Sequence, residues 1–283
     1  MRFAVSVHNF ADFADVRRLV ELAKEAEDNG WDGFFLWDHI HWNGPPMLDP
    51  WVALAAIAVA TSRIRIGTMV TPLARRRPWK LARETVTLDH LSGGRLILGV
   101  GLGAPPQEEF TRLGEDAGDR VRGQKLDEGL DVLTGLWSGE PFSYQGQHYQ
   151  LDNVTFLPRP VQQPRIPIWV AGLWPNRRPF RRAARLDGAV PVKVGPSADM
   201  PGLLTPEELP EPLAYIREHR ESDAPFDVNA SAVIPTDPAQ ARDVVDAFAA
   251  AGATWLQEWQ PNPDALSARG GEPGCHRRSA LRP

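Results

Sequence analysis

The stretch Ile64–Gly103 constrains the fold of this chain more than any other part of the sequence. Two short apolar runs, Ile64–Gly67 and Leu96–Val100, flank a segment with helical spacing at about Pro78–Leu91. Two apolar strands joined through one helix form a parallel β-α-β unit. Each run ends in small or polar residues, and α/β proteins bind their ligands at the carboxyl ends of parallel strands. The stretch therefore predicts a parallel sheet with a ligand site at that edge.

Six further segments repeat the pattern of an apolar run that ends in small or polar residues. They are Phe3–Val7, Gly33–Trp37, Ile168–Ala171, Gly188–Val192, Val228–Ile234 and Thr254–Trp259. Helical segments separate them, and eight alternating strands are more than an open doubly wound sheet usually contains. We therefore predict an α/β fold, a (β/α)8 TIM-like barrel.

Two regions of the sequence fall outside this alternation. Residues 140–166 combine an alternating run, Phe142–Gln150, with a proline-rich segment. This combination predicts an insertion with a small β-hairpin over one end of the sheet. After Leu266 the chain is rich in glycine, proline and arginine and lacks an apolar helical stripe, which is typical of irregular structure. The predicted organisation is one barrel domain, residues 1–266, and an irregular tail, residues 267–283.

Composition narrows the class of protein. The 283 residues suit a single barrel of about 250 residues, and a net charge of −5 does not indicate a nucleic-acid surface. No apolar run approaches the roughly 18 residues of a membrane helix, and the start MRFAVSVHNF lacks the core of a signal peptide. Cys275 is the single cysteine, so no disulfide can form within one chain. We expect a cytoplasmic protein with neither nucleic-acid nor membrane partners.

Two features suggest chemistry near the second strand. Asp38 and His39 follow it directly, and histidine is the side chain best suited to proton transfer near neutral pH. A structural loop histidine is the alternative. Ten tryptophans, several of them near strand ends, are consistent with an aromatic-lined pocket; ordinary packing is the alternative for most of them.

The loops after the third and fourth strands suit a flat ligand. The hydroxyls of Thr68 and Thr71 could hydrogen-bond a heteroaromatic edge. Met69 and Val70 between them could form an apolar platform under a ring. A simple capping loop is the alternative. The glycine-rich turn that ends at Gly103 lacks the last glycine of a dinucleotide-binding motif, so it predicts close backbone approach to a ligand instead.

A phosphate site is predicted after the fifth strand. Gly172 and Leu173 precede the start of a helix, where Asn176–Arg178 lie. Free N–H groups at a helix start attract anions, and arginines add positive charge. Late strand-to-helix loops are also where barrels commonly bind phosphate.

Other charged residues carry less functional signal. We expect the basic run Arg75–Arg77 to be solvated, with contact to an acidic cofactor tail as the alternative. We expect Glu108 and Glu109 to be surface charges of a helix. No metal site is predicted, because His39 and His41 are too few ligands and no metal-binding motif occurs. A nucleophile elbow of the G-x-S-x-G type is also absent from the sequence, so hydrolysis has little support.

Four longer stretches resemble a known family. They are GWDGFFLWDHI at 30–40, residues 49–103, PIWVAG at 167–172 and RRAARLDGAVP at 181–191. Together they are similar to the bacterial luciferase-like superfamily of flavin- and F420-dependent oxidoreductases, over about residues 1–260. The resemblance implies a TIM-like barrel that holds a reduced isoalloxazine or deazaflavin at the carboxyl ends of its strands.

The resemblance also implies roles for single residues. Asp38 and His39 match a pair that, in F420-using members, contacts the cofactor and acts at the reacting carbon. Thr71 matches a cofactor-contacting threonine. Gly172 and Leu173 match backbone contacts to the cofactor phosphate.

Three positions depart from one branch of that family. Ala104 stands where some F420-dependent sugar-phosphate dehydrogenases carry an acidic proton donor, and about Gly195 stands where they grip the sugar phosphate with lysine. Gln107 replaces a cofactor-contacting asparagine. We therefore expect a substrate other than a sugar phosphate.

The resemblance further implies a non-prolyl cis peptide at Thr68–Met69 or else at Met69–Val70.

The sequence thus favours a luciferase-like monooxygenase that oxidises a small organic substrate with reduced FMN. An F420-dependent hydride-transfer enzyme, a non-catalytic flavin- or F420-binding barrel, and a barrel hydrolase without a redox cofactor are the alternatives. His39 is the expected proton-handling residue. Residues 140–166 and 193–205 are candidate lids. The expected partners are a separate cofactor reductase and a second copy of the chain.

Overall fold

The computed structural model describes residues 1–42, 44–116, 118–197 and 200–259. The strands within these ranges are β1 (Arg2–Val7), β2 (Gly33–Leu36), β3 (Arg65–Pro72), β4 (Leu96–Gly101), β5 (Phe142–Gln145), β6 (Gln150–Val154), β7 (Ile168–Trp174), β8 (Gly188–Ser197), β9 (Met200–Gly202), β10 (Asp227–Ala232) and β11 (Trp255–Trp259). The α-helices are α1 (Val16–Asp28), α2 (Pro50–Ala60), α3 (Pro78–Ser92), α4 (Pro106–Glu109), α5 (Asp119–Trp137), α6 (Arg177–Ala184), α7 (Pro210–His219) and α8 (Pro238–Ala250).

Eight of these strands form a closed parallel barrel. Their order is β10-β11-β1-β2-β3-β4-β7-β8, and a parallel pairing of β8 with β10 closes the ring. The predicted TIM-like barrel is therefore confirmed. Strand β9 extends the sheet as an antiparallel neighbour of β8. The pairing of β7 with β8 continues to Trp174, so the fifth barrel strand is three residues longer than its apolar run predicted.

Side-chain capping explains where several helices begin. Asp49 accepts a hydrogen bond from the backbone N–H of Val52 at 2.9 Å, and Pro50 occupies the first turn of α2. Both features favour a helix start, as the sequence predicted. Helix α3 ends at Gly93, whose φ of 65° places it in the left-handed region that terminates helices.

The barrel interior below the site is filled by large side chains. Phe35 on β2 lies 5.7 Å from Trp169 on β7, and Trp169 lies 5.2 Å from Trp255 on β11, measured between ring centroids. These strands are not neighbours around the ring, so the contacts cross the interior. A second and larger core packs the outer faces of the strands against the helices. This two-layer packing is typical of TIM-like barrels.

The amino ends of the strands carry buried polar contacts that tie helices to the barrel. Arg95 donates hydrogen bonds to the carbonyls of Ala58 (2.7 Å) and Ile64 (3.0 Å). The carboxylate of Glu27 accepts from the backbone N–H groups of Arg63 and Ile64 at 2.6 and 2.8 Å. Burial raises the pKa of Glu27, but its backbone hydrogen bonds hold that pKa below the usual value. Such contacts at this face of a barrel support stability rather than catalysis.

The predicted insertion contains the antiparallel hairpin β5–β6. None of the helices within the described residues has both the length and the apolar character needed to cross a membrane. The predicted boundary at residue 266 and the irregular tail at 267–283 lie outside the described residues.

Candidate functional site

A cavity of about 310 Å³ opens at the carboxyl ends of the barrel strands. Loops after β2, β3, β4 and β7 line it, together with the ends of β8 and β11. The lining residues most relevant to chemistry are Trp37, His39, Trp42, Met69, Val70, Gly101, Gly103, Gly172, Leu173, Asn176 and Trp259. Met69 also packs in the barrel interior, so the cavity floor rests on that layer of side chains.

The structure brings most of the candidate residues together around this cavity. Those that line it are Asp38, His39, Met69, Val70, Gly103, Gly172 and Leu173. Thr68 and Thr71 are fully buried behind the lining. Gln107 is exposed and is not among the lining residues, and its contact with a cofactor stays a prediction.

His39 presents one ring nitrogen to the protein and leaves the other free. Its Nδ1 atom lies 2.8 Å from Glu109 Oε1. A carboxylate only accepts hydrogen bonds, so Nδ1 carries the proton in this pair. Nε2 makes no hydrogen bond to any of the described residues, and it is not among their buried unpaired atoms. Neutral His39 therefore offers the Nε2 lone pair to the cavity.

Behind His39 lies a buried charge cluster, which we define as Asp38, Arg75, Arg76 and Glu109. Arg75 pairs with Glu109 and, through Nη2, lies 2.6 Å from Asp38 Oδ1. Arg76 Nη2 lies 2.7 Å from the same oxygen. Two guanidinium groups thus balance two carboxylates. The cluster corrects two sequence expectations, because Arg75 and Glu109 have side chains only 4% and 0% exposed rather than solvated.

The carboxylate of Asp38 is occupied by protein donors. Its Oδ2 atom accepts from Thr71 Oγ1 at 2.8 Å and from Trp51 Nε1 at 3.1 Å. Thr71 Oγ1 also lies 2.8 Å from Thr68 Oγ1. The side chains of Asp38 and Thr71 therefore bind each other, and their contact with a cofactor stays a prediction. Their position indicates that they hold the loop that carries His39.

The cluster also sets the protonation states of Asp38 and of the neighbouring His39. Burial raises the pKa of Asp38, but the guanidinium groups of Arg76 and Arg75 outweigh it and keep that pKa below its usual value. Burial and then Arg75 lower the pKa of His39 to about 4, although Asp38 opposes the shift. Because the cluster is already balanced, a protonated His39 would add an uncompensated buried charge. His39 is therefore neutral near pH 7.

Aromatic rings surround the His39 imidazole. Trp42, Trp37 and Phe10 lie 5.0, 5.7 and 5.8 Å from it, between ring centroids. Trp259, from the last barrel strand, lies 5.2 Å from Trp37. Strands β11, β1 and β2 are neighbours in the barrel, so these rings occupy one side of the cavity. The predicted aromatic lining is present on that side.

The opposite side of the cavity is walled by backbone and small side chains. Met69–Val70 is the one non-prolyl cis peptide bond within the described residues, and it is the second of the two positions that the resemblance implied. A Cβ atom at Gly101 would lie 2.7 Å from Val70 Cγ2. At Gly103, where φ is +85°, a Cβ would lie 2.8 Å from Pro72 Cβ. Both glycines lack room for a side chain, so backbone forms the wall at these two positions.

The cavity has a polar end near the start of α6. Gly172, Leu173 and Asn176 line it there, and no side chain caps the first N–H groups of the helix. Arg177 lies over the rings of Trp174 and Tyr215, at 4.7 Å from each centroid. Free N–H groups at this place can bind the phosphate of a ligand.

The two candidate lids differ in their position. Val194, Gly195 and Pro201 line the cavity, so the segment at 193–205 does border it. Residues 140–166 contribute no lining residue within the described parts of the chain, which removes their support as a lid.

Sequence reasoning missed Glu109, Arg75, Trp42 and Trp259 as residues of this site. One signal for Glu109 was present, since it follows the glycine-rich end of β4 by only a few residues. No local pattern identifies its partners, because His39 and Glu109 are 70 positions apart.

A protein-family model described as luciferase-like monooxygenase matches residues 1–274. One similar curated protein is a flavin-dependent trigonelline monooxygenase, oxygenase component, from Acinetobacter baylyi; it is 32% identical over 64% of this chain and 51% of its own length. Another is an F420-dependent glucose-6-phosphate dehydrogenase from Nakamurella multipartita, 33% identical over 68% of this chain and 56% of its own length. The chain thus spans about half the length of the curated relatives that it matches.

Solved structures share the fold. An F420-dependent secondary alcohol dehydrogenase in complex with an F420-acetone adduct matches with a TM-score of 0.79 and 17% identity, over 100% of this chain and 99% of that one. The monooxygenase RslO1 from Streptomyces bottropensis matches with a TM-score of 0.75 and 22% identity, over 93% and 92%. At these identities the likeness concerns the barrel alone.

Proposed function

The chain belongs to the luciferase-like monooxygenase family, and on that premise we propose that it is a monooxygenase that oxidises a small organic substrate with reduced FMN. One observation carries the proposal. A single cavity joins the wall formed by Met69, Val70 and Gly101, the Nε2 atom of His39, to which no described residue hydrogen-bonds, and the uncapped start of α6. A flavin needs these three features together: a platform for its rings, a polar group at its reacting edge and a phosphate site.

The residues present fit such a cofactor. The isoalloxazine would lie against Val70 and Gly101, where added side chains are excluded. Its phosphate would accept hydrogen bonds from backbone N–H groups near Leu173 and the start of α6. When bound, reduced FMN supplies two electrons and activates oxygen, of which one atom enters the substrate and the other leaves as water.

The protein supplies orientation, proton handling and exclusion of water. His39 Nε2 would accept a proton from the substrate or return one to it, because its other nitrogen is held by Glu109. Trp37, Trp42 and Trp259 would keep bulk water from that nitrogen. Arg75 and Asp38 act through Glu109 and the loop, as positioning residues.

Hydride transfer with F420 is the second candidate function. It is supported by the sequence pair Asp38-His39 and by the glucose-6-phosphate dehydrogenase relative. Ala104, the exposed Gln107 and the absence of lysine at Gly195 weigh against sugar phosphate as the substrate. A separate reductase partner follows from the first candidate, since the trigonelline relative is named an oxygenase component. Pairing of two copies and a cytoplasmic location stay predictions of the sequence.

Anaerobic titration with reduced FMN and with reduced F420, followed by tryptophan fluorescence, tests the proposal. Three tryptophans line the cavity, so a bound tricycle should quench their emission. Ala171→Phe fills the lining and should abolish quenching, whereas Val59→Phe on the exposed face of α2 should not.

Tighter binding of FMN supports the monooxygenase, and tighter binding of F420 supports hydride transfer. Failure of both to bind would refute both candidates and favour the hydrolase. A cofactor that binds while no member of a broad substrate panel turns over would favour a non-catalytic binding barrel.

A further inference from the structure

The cavity is divided into two chemically different sides. Strands β3, β4 and β7 contribute backbone and small side chains, including Gly101, Gly103 and Gly172. Strands β11 and β2 contribute the aromatic rings, which we call the aromatic side: Trp37, His39, Trp42 and Trp259. This glycine-lined wall suits the cofactor of the proposed function, which leaves the aromatic side for the substrate.

The aromatic side carries no positive charge. Among the described residues, neither lysine nor arginine lines any part of the cavity. The guanidinium groups of Arg75 and Arg76, behind His39, already pair with Asp38 and Glu109 in the charge cluster. A substrate carboxylate or phosphate placed there would lose its hydration without gaining an ion pair, which is strongly unfavourable.

The free ring nitrogen of His39 has a defined hydrogen-bonding direction. His39 Nδ1 is committed to Glu109, so Nε2 can only accept. Trp37 donates its indole N–H to Ser6 Oγ at 3.1 Å and therefore offers no donor to a ligand. A ligand that meets the free nitrogen must bring its own O–H or N–H group, and the surrounding rings favour an aromatic body.

We propose that the substrate subsite is the aromatic side and that it takes an uncharged aromatic molecule with a ring hydroxyl, which donates its hydrogen bond to His39 Nε2. This inference rests on the proposed function for the placement of the cofactor. It goes further by excluding anionic substrates and by assigning Trp42 and Trp259 to substrate specificity.

The test is calorimetric binding of four probes of similar shape, with and without saturating FMN. The probes are 2-naphthol, 2-methoxynaphthalene, 2-naphthoate and N-methylquinolinium. We expect 2-naphthol to bind about three- to tenfold more tightly than its methyl ether, which lacks the hydrogen to donate. The anionic naphthoate should bind at least tenfold more weakly than the naphthol.

Two variants assign the effect to residues. His39→Leu should remove the difference between naphthol and its ether. Trp42→Leu should weaken naphthol binding at least tenfold, whereas Trp79→Leu, a partly buried tryptophan that does not line the cavity, should change it less than twofold.

Equal or tighter binding of naphthoate or N-methylquinolinium would overturn the inference, as would equal affinities for the naphthol and its ether. The cofactor titration keeps the two proposals separate. If FMN binds and naphthol does not, the substrate class is wrong and the proposed function stands. If neither FMN nor F420 binds, the proposed function fails instead.

Discussion

Replacing Glu109 with glutamine is the sharpest test of the buried charge cluster. The change keeps the shape of the side chain but removes one negative charge. The cluster then holds two guanidinium groups and one carboxylate. In the wild type, the side chain of Arg75 is only 4% exposed and that of Glu109 is fully buried. Removing one partner from a buried pair costs about 3–5 kcal/mol. Because Arg75 keeps its contact with Asp38 at 2.6 Å, we expect the lower end, about 3 kcal/mol.

The measurement is urea unfolding of wild type, Glu109→Gln and the matched control Glu108→Gln. Glu108 is the neighbouring acid on α4, and it pairs with His41 and with Arg112, which is half exposed. Such partly exposed pairs contribute about 0–1 kcal/mol. If Glu109→Gln costs no more than Glu108→Gln, the cluster is not a balanced buried network.

A second readout separates positioning from stability. Nitrogen-15 NMR of the His39 ring should show Nδ1 protonated and Nε2 unprotonated in the wild type. In Glu109→Gln, the amide can donate to Nδ1 or accept from it, so the two neutral tautomers should mix. An unchanged tautomer in this variant would show that Glu109 does not orient His39.

Three further predictions follow from the structure. Because the pKa of His39 is lowered in the folded protein, the unfolded chain binds a proton at this residue more readily. The stability that neutral His39 contributes is therefore complete above about pH 6.5 and is lost as pH falls towards about 4, a loss of at most about 3 kcal/mol. The pH–stability curve of His39→Gln should lack this loss. Gly103→Ala should destabilise the protein by about 2–4 kcal/mol, because the added Cβ would meet Pro72. The control Gly114→Ala has a similar φ of +78° and nothing within 4 Å of its Cβ, so it should cost only the backbone strain of about 1–2 kcal/mol. Equal losses of stability would show that crowding at Gly103 is unimportant. Arg95→Met should lower stability by about 2–4 kcal/mol, because the carbonyls at the end of α2 lose their hydrogen-bond donor. Cofactor affinity should stay within twofold of wild type. A larger change in affinity would mean that the two ends of the barrel are coupled.

Local pattern in the sequence determined the barrel. Each strand is a short apolar run because both faces of a parallel barrel strand are covered, and such runs are visible one at a time. The positions of His39, Gly103 and Gly172 followed as well. Residues directly after parallel strands must come to one end of the barrel, whichever side chains surround them.

Only the tertiary structure decided which charged residues are buried and what they contact. Arg75, Arg76 and Glu109 look like surface charges in the sequence, because a run of like charges or an acid in a short helix is usually solvated. The two arginines are buried here because Asp38, from a distant strand end, supplies the opposite charge, and Glu109 is buried because Arg75 pairs with it. The same cluster holds the carboxylate of Asp38 against Thr71 and orients His39 through Glu109. Such contacts depend on the relative positions of whole strands, and no local spacing encodes them.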